Sequence, residues 1–399
     1  MSSHPPRDPF DREYYETCLR ELAGPIFNAW FRPAVFRAER IPVAGPAIIA
    51  ANHSGNAFPY DAMVLDAALY RLERGPVRKV RAVYEKELTL TWWMRPFGVD
   101  DFWRKGGGID LTFDNFEALL TRGERLLYFP EGVPGIGKGF NHQYELQRFS
   151  TSFVLLGARA GAQVVPLYIV NAEWVIPFSY TWKALDRWLE RTFKIPFLPL
   201  PWGIIAVIWP WAWYLALPAK MIFVFGEPLD PAAIVRQEGI TDLDRPDREK
   251  LSAAAAKIRR AMQVELDELV RIHGQHPYRS RELWRRLRES GRNLWRLLPT
   301  GWPVAFVRFD RDRRRPPARN ALHRWLRDWD LLFWYFPFLG WPLLSLARAW
   351  RRPPCGYRGL PRETRKEQEG SWVWRLAERP LPWSSTLPEP GERCSRPSR

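Results

Sequence analysis

The sequence predicts an α/β fold: a mixed, mostly parallel sheet flanked by helices, with an N-terminal helical segment and a basic, aromatic-rich C-terminal extension. Three observations carry this. Short β-branched and aromatic runs alternate with helical patterns through about residue 275. A long amphipathic stripe follows Pro246. The charge then divides sharply: 33 basic and 32 acidic residues lie through Gln275, against 27 basic and 12 acidic from His276 onward.

Taken in order, the segment near 10–31 reads as helical. AIIAA (47–51), VRAVY (80–84), RLLYF (125–129), VVPLYIV (164–170) and MIFVF (221–225) read as strands. Between them, 110–123 and 145–161 read as helices ended by Gly123 and Gly161. After Pro246, Leu251, Ala255, Ile258, Met262, Leu266 and Leu269 recur every three or four residues, one buried stripe that closes the core. These elements divide the chain into an N-terminal helical segment (1–38), a central domain (39–275), a basic amphipathic region (276–352) and a loosely ordered Pro-, Arg- and Ser-rich tail (353–399).

Composition excludes several classes. With 46% hydrophobic residues the chain has too much apolar surface to stay unfolded. Cys18, Cys355 and Cys394 are odd in number and scattered, which excludes a disulfide scaffold and predicts a reducing compartment. The opening MSSHPPRDPFDREYYE lacks the basic flank and apolar run of a signal peptide, so secretion by that route is not expected. Six His and three Cys without ligand spacing predict no metal site.

The net charge of +16 and the 22 Trp suit either nucleic acid or an anionic membrane surface. Two stretches favour lipid. Residues 197–219 carry no charge, and 331–347 are equally apolar. Pro199, Pro201, Pro210 and Pro218 interrupt the first as a helix, and Pro337, Gly340 and Pro342 the second. Spanning, shallow insertion into one leaflet and burial in the protein are all open, with shallow insertion favoured. In 281–298, Leu283, Leu287, Leu294 and Leu298 share a helical face beside Trp284 and Trp295, with arginines opposite. Seven Trp fall in 174–213 and eight in 284–350, so 15 of the 22 lie in or beside these regions, where a bilayer interface favours them.

Chemistry concentrates in three places. ANHSGNAFPYDA (51–62) follows a strand and offers His53 with Asp61, a general base and a carboxylate to fix its tautomer. Alone, a His beside a Gly turn is more often structural. YFPEGVPG (128–135) brings Glu131 and Gly132 out of another strand. DDFWRKGGGID (100–110) puts Arg104 and Lys105 before three glycines, a pattern able to hold phosphate or to form a plain flexible loop.

In combination, Asn52-His53, Arg104, Phe129-Pro130-Glu131-Gly132 and Val165-Pro166 resemble the glycerolipid acyltransferase superfamily of the lysophosphatidate-acyltransferase type. ERIPVAGPAIIAANHSG (39–55) is similar to that family's lead-in to its histidine, and MIFVFGEPLD (221–230) to its closing strand. The resemblance covers about residues 20–275. It implies an enzyme on the cytoplasmic face of a membrane that esterifies a lipid hydroxyl from acyl-CoA or acyl carrier protein, without cofactor and without a nucleic-acid partner. His53 would deprotonate the acceptor, Asp61 would orient His53, Arg104 would contact an acceptor phosphate, and Glu131 with Gly132 would shape the acceptor pocket. Arg148, placed at a helix start after the turn, is added as a second head-group cation; an ordinary surface arginine is the alternative.

Three features depart from the family pattern. The acid lies eight residues after the histidine, with Phe58 at the expected position. A continuous helix would separate the pair by about 12 Å, so the chain must loop back, which Gly55 and Pro59 allow. Such spacing looks like the mono- and diacylglycerol acyltransferase-like branch. Val133-Pro134 follows the Pro-Glu-Gly block without the usual polar residues, and Gly98 and Arg104 stand far apart. Two other readings stand beside it. A Ser54 hydrolase lacks a G-x-S-x-G elbow around that serine. A non-catalytic basic protein that binds membrane or nucleic acid would leave the α/β domain a mere scaffold.

Overall fold

The computed structural model describes residues 10–55, 58–72, 80–84, 94–97, 99, 102–193, 197–290, 299–314 and 319–350. Gly98, residues 291–298 of the basic amphipathic stretch and the tail from 353 lie outside them.

Seven strands form one sheet in the order β1 (Ala34–Phe36), β9 (Ile222–Phe225), β6 (Gln163–Val170), β2 (Ala47–Ala51), β5 (Arg125–Tyr128), β3 (Val80–Tyr84) and β4 (Ile109–Asp110). From β6 to β4 every pairing is parallel. Strand β9 joins β6 antiparallel, and β1 pairs with β9 in parallel. The fold is thus the mixed, mostly parallel sheet that the sequence predicts. A separate ribbon pairs β7 (Ser179–Tyr180) with β8 (Leu200–Pro201).

Alternation along each strand divides the core into two layers. Ile49, Ala51, Val165, Leu167, Ile169, Phe223 and Phe225 face one side. Ile48, Ala50, Val164, Tyr168, Val170, Ile222 and Val224 face the other. The second layer is covered by α5 (Phe113–Thr121), α7 (Ser152–Ala160) and α11 (Arg248–His273). All six stripe residues of α11 are buried in it. Asp247 caps that helix by accepting from the Glu249 and Lys250 amides.

The first layer is covered by residues from both ends of the chain. Helices α1 (Arg12–Cys18) and α2 (Gly24–Trp30) supply Tyr14, Ile26 and Phe27, and the π-helical turn Leu19–Ala23 between them supplies Leu22. Helix α13 (Trp302–Arg314) inserts Trp302 among Phe27, Phe31 and Tyr60, with ring centroids 5.4–5.7 Å apart. Lys105 meets Asp310 at 3.2 Å across the same seam. Part of the basic 276–352 region is therefore built into the body that carries the sheet.

The uncharged stretches do not form single helices. Residues 197–219 contain α9 (Trp202–Ile208) and a 3-10 turn, Pro210–Tyr214. Residues 331–347 contain most of a 3-10 turn, Trp329–Tyr335, and most of α15 (Pro337–Trp350), with Pro342 inside the helix. Among the described residues no helix is long and apolar enough to cross a membrane. Each stretch buries one side, through Trp202, Ala206, Trp334 and Trp341, and exposes the other.

One predicted helix is shorter than its pattern. Residues 145–150 are not helical, and α7 begins at Ser152. The amides of Leu146, Gln147 and Ser150 are taken by Gln263 Oε1, Glu131 Oε2 and the Pro130 carbonyl, at 2.8 Å each. Those tertiary bonds replace the helical ladder.

Candidate active site

Strand β2 ends at Ala51, and Asn52 continues its pairing with a side chain. Asn52 Oδ1 accepts the Ile169 amide at 2.7 Å, and Nδ2 donates to the Ile169 carbonyl at 3.1 Å. This clamp fixes where the backbone turns away, so His53 emerges at the carboxyl end of a central strand. Gly55 follows with φ +71°, a left-handed turn that glycine adopts freely.

The turn returns the chain to α3 (Tyr60–Leu72), with Asp61 in its first turn and fully buried. His53 Nδ1 stands 3.4 Å from Asp61 Oδ2. The same oxygen accepts from the Ser54 hydroxyl at 3.2 Å and its amide at 3.4 Å, while Oδ1 accepts the Ala62 amide at 2.9 Å. The His53 ring also lies on Phe129, with centroids 3.9 Å apart and planes 10° apart. The imidazole is thus held by the Asp61 carboxyl along one edge and by a flat apolar face.

Strand β5 delivers Glu131, which is buried. Its Oε1 accepts the His53 amide and its Oε2 the Gln147 amide, both at 2.8 Å. Gly132 then takes φ +57° and opens the short helix α6 (Gly132–Ile136). Gly135 is required by contact: a Cβ there would lie 2.4 Å from Glu131 Cβ and 3.1 Å from His53 Cβ. The Pro-Glu-Gly turn therefore packs directly on the histidine.

Arg104 and Arg148 lie elsewhere. Arg104 belongs to α4 (Phe102–Lys105), is mostly buried and pairs with Asp110 at the end of β4. Beside them the Tyr84 hydroxyl is pushed well above its usual range by burial, then by Asp110. Arg148 sits in the non-helical 145–150 segment rather than at a helix start. It is exposed and lines a surface cavity of about 440 Å³ with Ser252, Ala256 and Arg259 of α11. Its neighbour Gln147, not Arg148, touches Glu131.

Sequence reasoning did not single out Phe129 as a support for the imidazole, nor Lys138 and Glu173. Lys138, in the Gly-rich run after α6, is buried between Glu131 and Glu173, with Nζ 3.9 Å from each carboxylate. Burial pushes the Glu173 carboxyl up to about 8, against the opposing pull of Lys138. The signals were a Lys inside GIGKG and a Glu just past the end of β6, each of which reads as ordinary surface polarity. Among the described residues no group of His, Cys, Asp and Glu is arranged to hold a metal ion.

Residues 32–170 match the family model described as Acyltransferase. An uncharacterized protein of Mycobacterium tuberculosis is 30% identical over 241 residues, which cover 59% of this chain and 62% of that protein. An uncharacterized protein of Mycobacterium leprae is 29% identical over 238 residues, 59% of this chain and 60% of its own length. The chain thus spans about three-fifths of the length of these relatives. The crystal structure of the 1-acyl-sn-glycerophosphate acyltransferase PlsC from Thermotoga maritima aligns with 64% of this chain and 83% of its own. Its TM-score is 0.36 and its identity 16%. The family match, to residues 32–170, covers the strands and turns that present His53, Asp61 and Glu131, so that this part of the chain is similar to the Acyltransferase family.

Proposed function

We propose that this protein transfers a fatty acyl group from an acyl thioester, acyl-CoA or acyl carrier protein, to the hydroxyl of a lipid. The observation that carries the reading is the His53–Asp61 contact at 3.4 Å, buried at the carboxyl end of a central strand. With Nδ1–H directed at Asp61, Nε2 is the nitrogen that accepts a proton. It takes the proton of the acceptor hydroxyl as the oxygen attacks the thioester carbon. The C–S bond then breaks, and the imidazolium returns the proton to the departing thiolate. Contacts to an unliganded base are often long and tighten only with substrate bound.

Glu131 and Gly132 shape the acceptor side of this base. An anionic head group near Arg104 competes with Asp110 for the guanidinium, which favours an acceptor of low charge. Arg148 stands as a head-group cation only for a substrate that reaches over Gln147 to α11.

We propose further that the protein works on the cytoplasmic face of a membrane. Ile204, Ile205 and Trp209 are exposed on one apolar stretch, and Phe336, Phe338 and Leu339 on the other. Tyr214 and Trp334 pack together, ring centroids 5.7 Å apart, and so join the two. Phe58 packs on Tyr214 with ring centroids 5.0 Å apart, and the Tyr60 hydroxyl donates to the Tyr214 carbonyl at 2.8 Å, linking this apolar face to the turn carrying His53 and Asp61. Exposed apolar side chains of this size suit a bilayer interface.

Labelled acyl-CoA and acyl carrier protein, each offered with lysolipids, monoacylglycerols, diacylglycerols and aminolipids, test the reading by mass spectrometry. The expected result is an ester product that His53→Ala abolishes. Full transfer by His53→Ala removes the base assignment. Transfer to no acceptor, together with salt-sensitive binding of duplex DNA, returns the basic binding protein instead.

A further inference from the structure

No step of the proposed reaction uses Lys138, yet the residue is held from every side. Its ammonium lies 3.9 Å from Glu131 Oε2 and 3.9 Å from Glu173 Oε1, and donates to the Glu145 carbonyl at 3.3 Å. Its own carbonyl accepts the Thr181 hydroxyl at 2.7 Å. Its methylene stem fills the space beside Gly55, where a Cβ would come within 2.9 Å of Lys138 Cγ.

Removing an ammonium from water is costly unless partners compensate. A solvated surface lysine would avoid that cost. The buried position therefore calls for a geometric role, and Glu131 supplies it. Glu131 bridges two pieces of chain, the His53 amide and the Gln147 amide. Lys138 contacts both sides of that bridge: the Gly55 turn next to His53, and the Glu145 carbonyl next to Gln147.

We infer that Lys138 is a positioning residue, which locks the Glu131 bridge and through it sets the place of His53. The inference rests on the reading of His53 as the base. Lys138 acts on the orientation of the base and not on substrate affinity. A small displacement of a reacting group costs on the order of 10²-fold in rate, so the effect falls on kcat and leaves KM in place.

The test is Lys138→Met in the full chain, which keeps the apolar stem and removes the charge. The expected result is a folded protein with kcat lower by on the order of 10²-fold, KM unchanged, and the His53 imidazole resonances displaced in nitrogen-15 NMR spectra. Wild-type kcat with superimposable His53 resonances overturns the inference, as does a change confined to KM. Glu131→Gln and the double variant Lys138→Met/Glu131→Gln complete a cycle. Because Lys138 works through Glu131, the double variant should be no worse than Glu131→Gln alone, in kcat and in His53 shifts. Additive losses would mean that Lys138 acts by another route. The double variant also carries the test if Lys138→Met alone does not fold, since it removes the uncompensated carboxylate. Should the wild type transfer no acyl group, the acyltransferase reading fails by itself, and the His53 resonances still decide the role of Lys138.

Discussion

The imidazole of His53 lies flat on the ring of Phe129, 3.9 Å between centroids, while its Nδ1 edge meets Asp61. The two contacts restrain different motions. The stack fixes the plane of the ring, and the carboxylate fixes its rotation within that plane. Phe129→Leu keeps apolar bulk but loses the flat face, so kcat should fall while KM holds. Phe129→Ala should also cost about 3–5 kcal/mol of stability as a large-to-small change in a packed site. Steady-state kinetics and urea denaturation check both.

Asp61→Asn retains the shape and removes the charge. The amide can present its NH₂ to Nδ1 and favour the wrong tautomer. Transfer should drop by about 10²–10⁴-fold, the range of general-base contributions, with a folded protein by circular dichroism.

Asp110→Asn removes the ion pair between Arg104 and Asp110. An acceptor bearing a phosphate can then take that place, so KM for lysophosphatidate-like acceptors should fall relative to KM for uncharged monoacylglycerols. An unchanged ratio would remove Arg104 from the acceptor site.

Glu173 makes stability depend on pH. Burial raises its carboxyl from the ordinary 4.5 to about 8 in the folded protein. Between those values the folded state holds a proton that the unfolded chain has released. Its contribution is therefore full below about pH 4.5 and is lost as pH rises through about 8. Urea midpoints should decline with pH across this window more steeply for wild type than for Glu173→Gln. Parallel declines would assign the slope to other groups.

Phe338→Asp with Leu339→Asp places two charges on the exposed apolar face of α15. Each apolar side chain lost from a bilayer interface removes up to about 1.5–3 kcal/mol. Sedimentation with anionic liposomes should thus show at least about ten-fold weaker binding and an unchanged melting profile.

Much of the fold is legible in the sequence because burial on both faces leaves a continuous apolar run. AIIAA and VVPLYIV read as central strands for that reason, and the α11 stripe reads as a packed helix because its period is unbroken. Strands β1 and β4, with three and two residues, are too short to leave a period. Residues 145–150 carry a helical pattern but are not helical, because the partners that compete for their amides, Gln263 and Glu131, are distant in sequence. At the site, His53 and Glu131 follow strands and stand out. The His53–Asp61 contact requires a loop that spacing permits but does not dictate. Lys138 and Glu173 are invisible as a pair, since nothing local says that both are buried.

The layer beneath the first sheet face is closed by Phe27 and Phe31 near the start of the chain and by Trp302 and Phe306 near its end. During synthesis the strands can pair once residue 225 has emerged, but that face stays uncovered until α13 arrives. A nascent chain released early would present Phe27, Phe31 and Tyr60 to solvent, next to the turn that carries His53. Closure of this layer thus waits until residues 302–314 have been made, and truncations before residue 314 should yield chaperone-bound, aggregation-prone species.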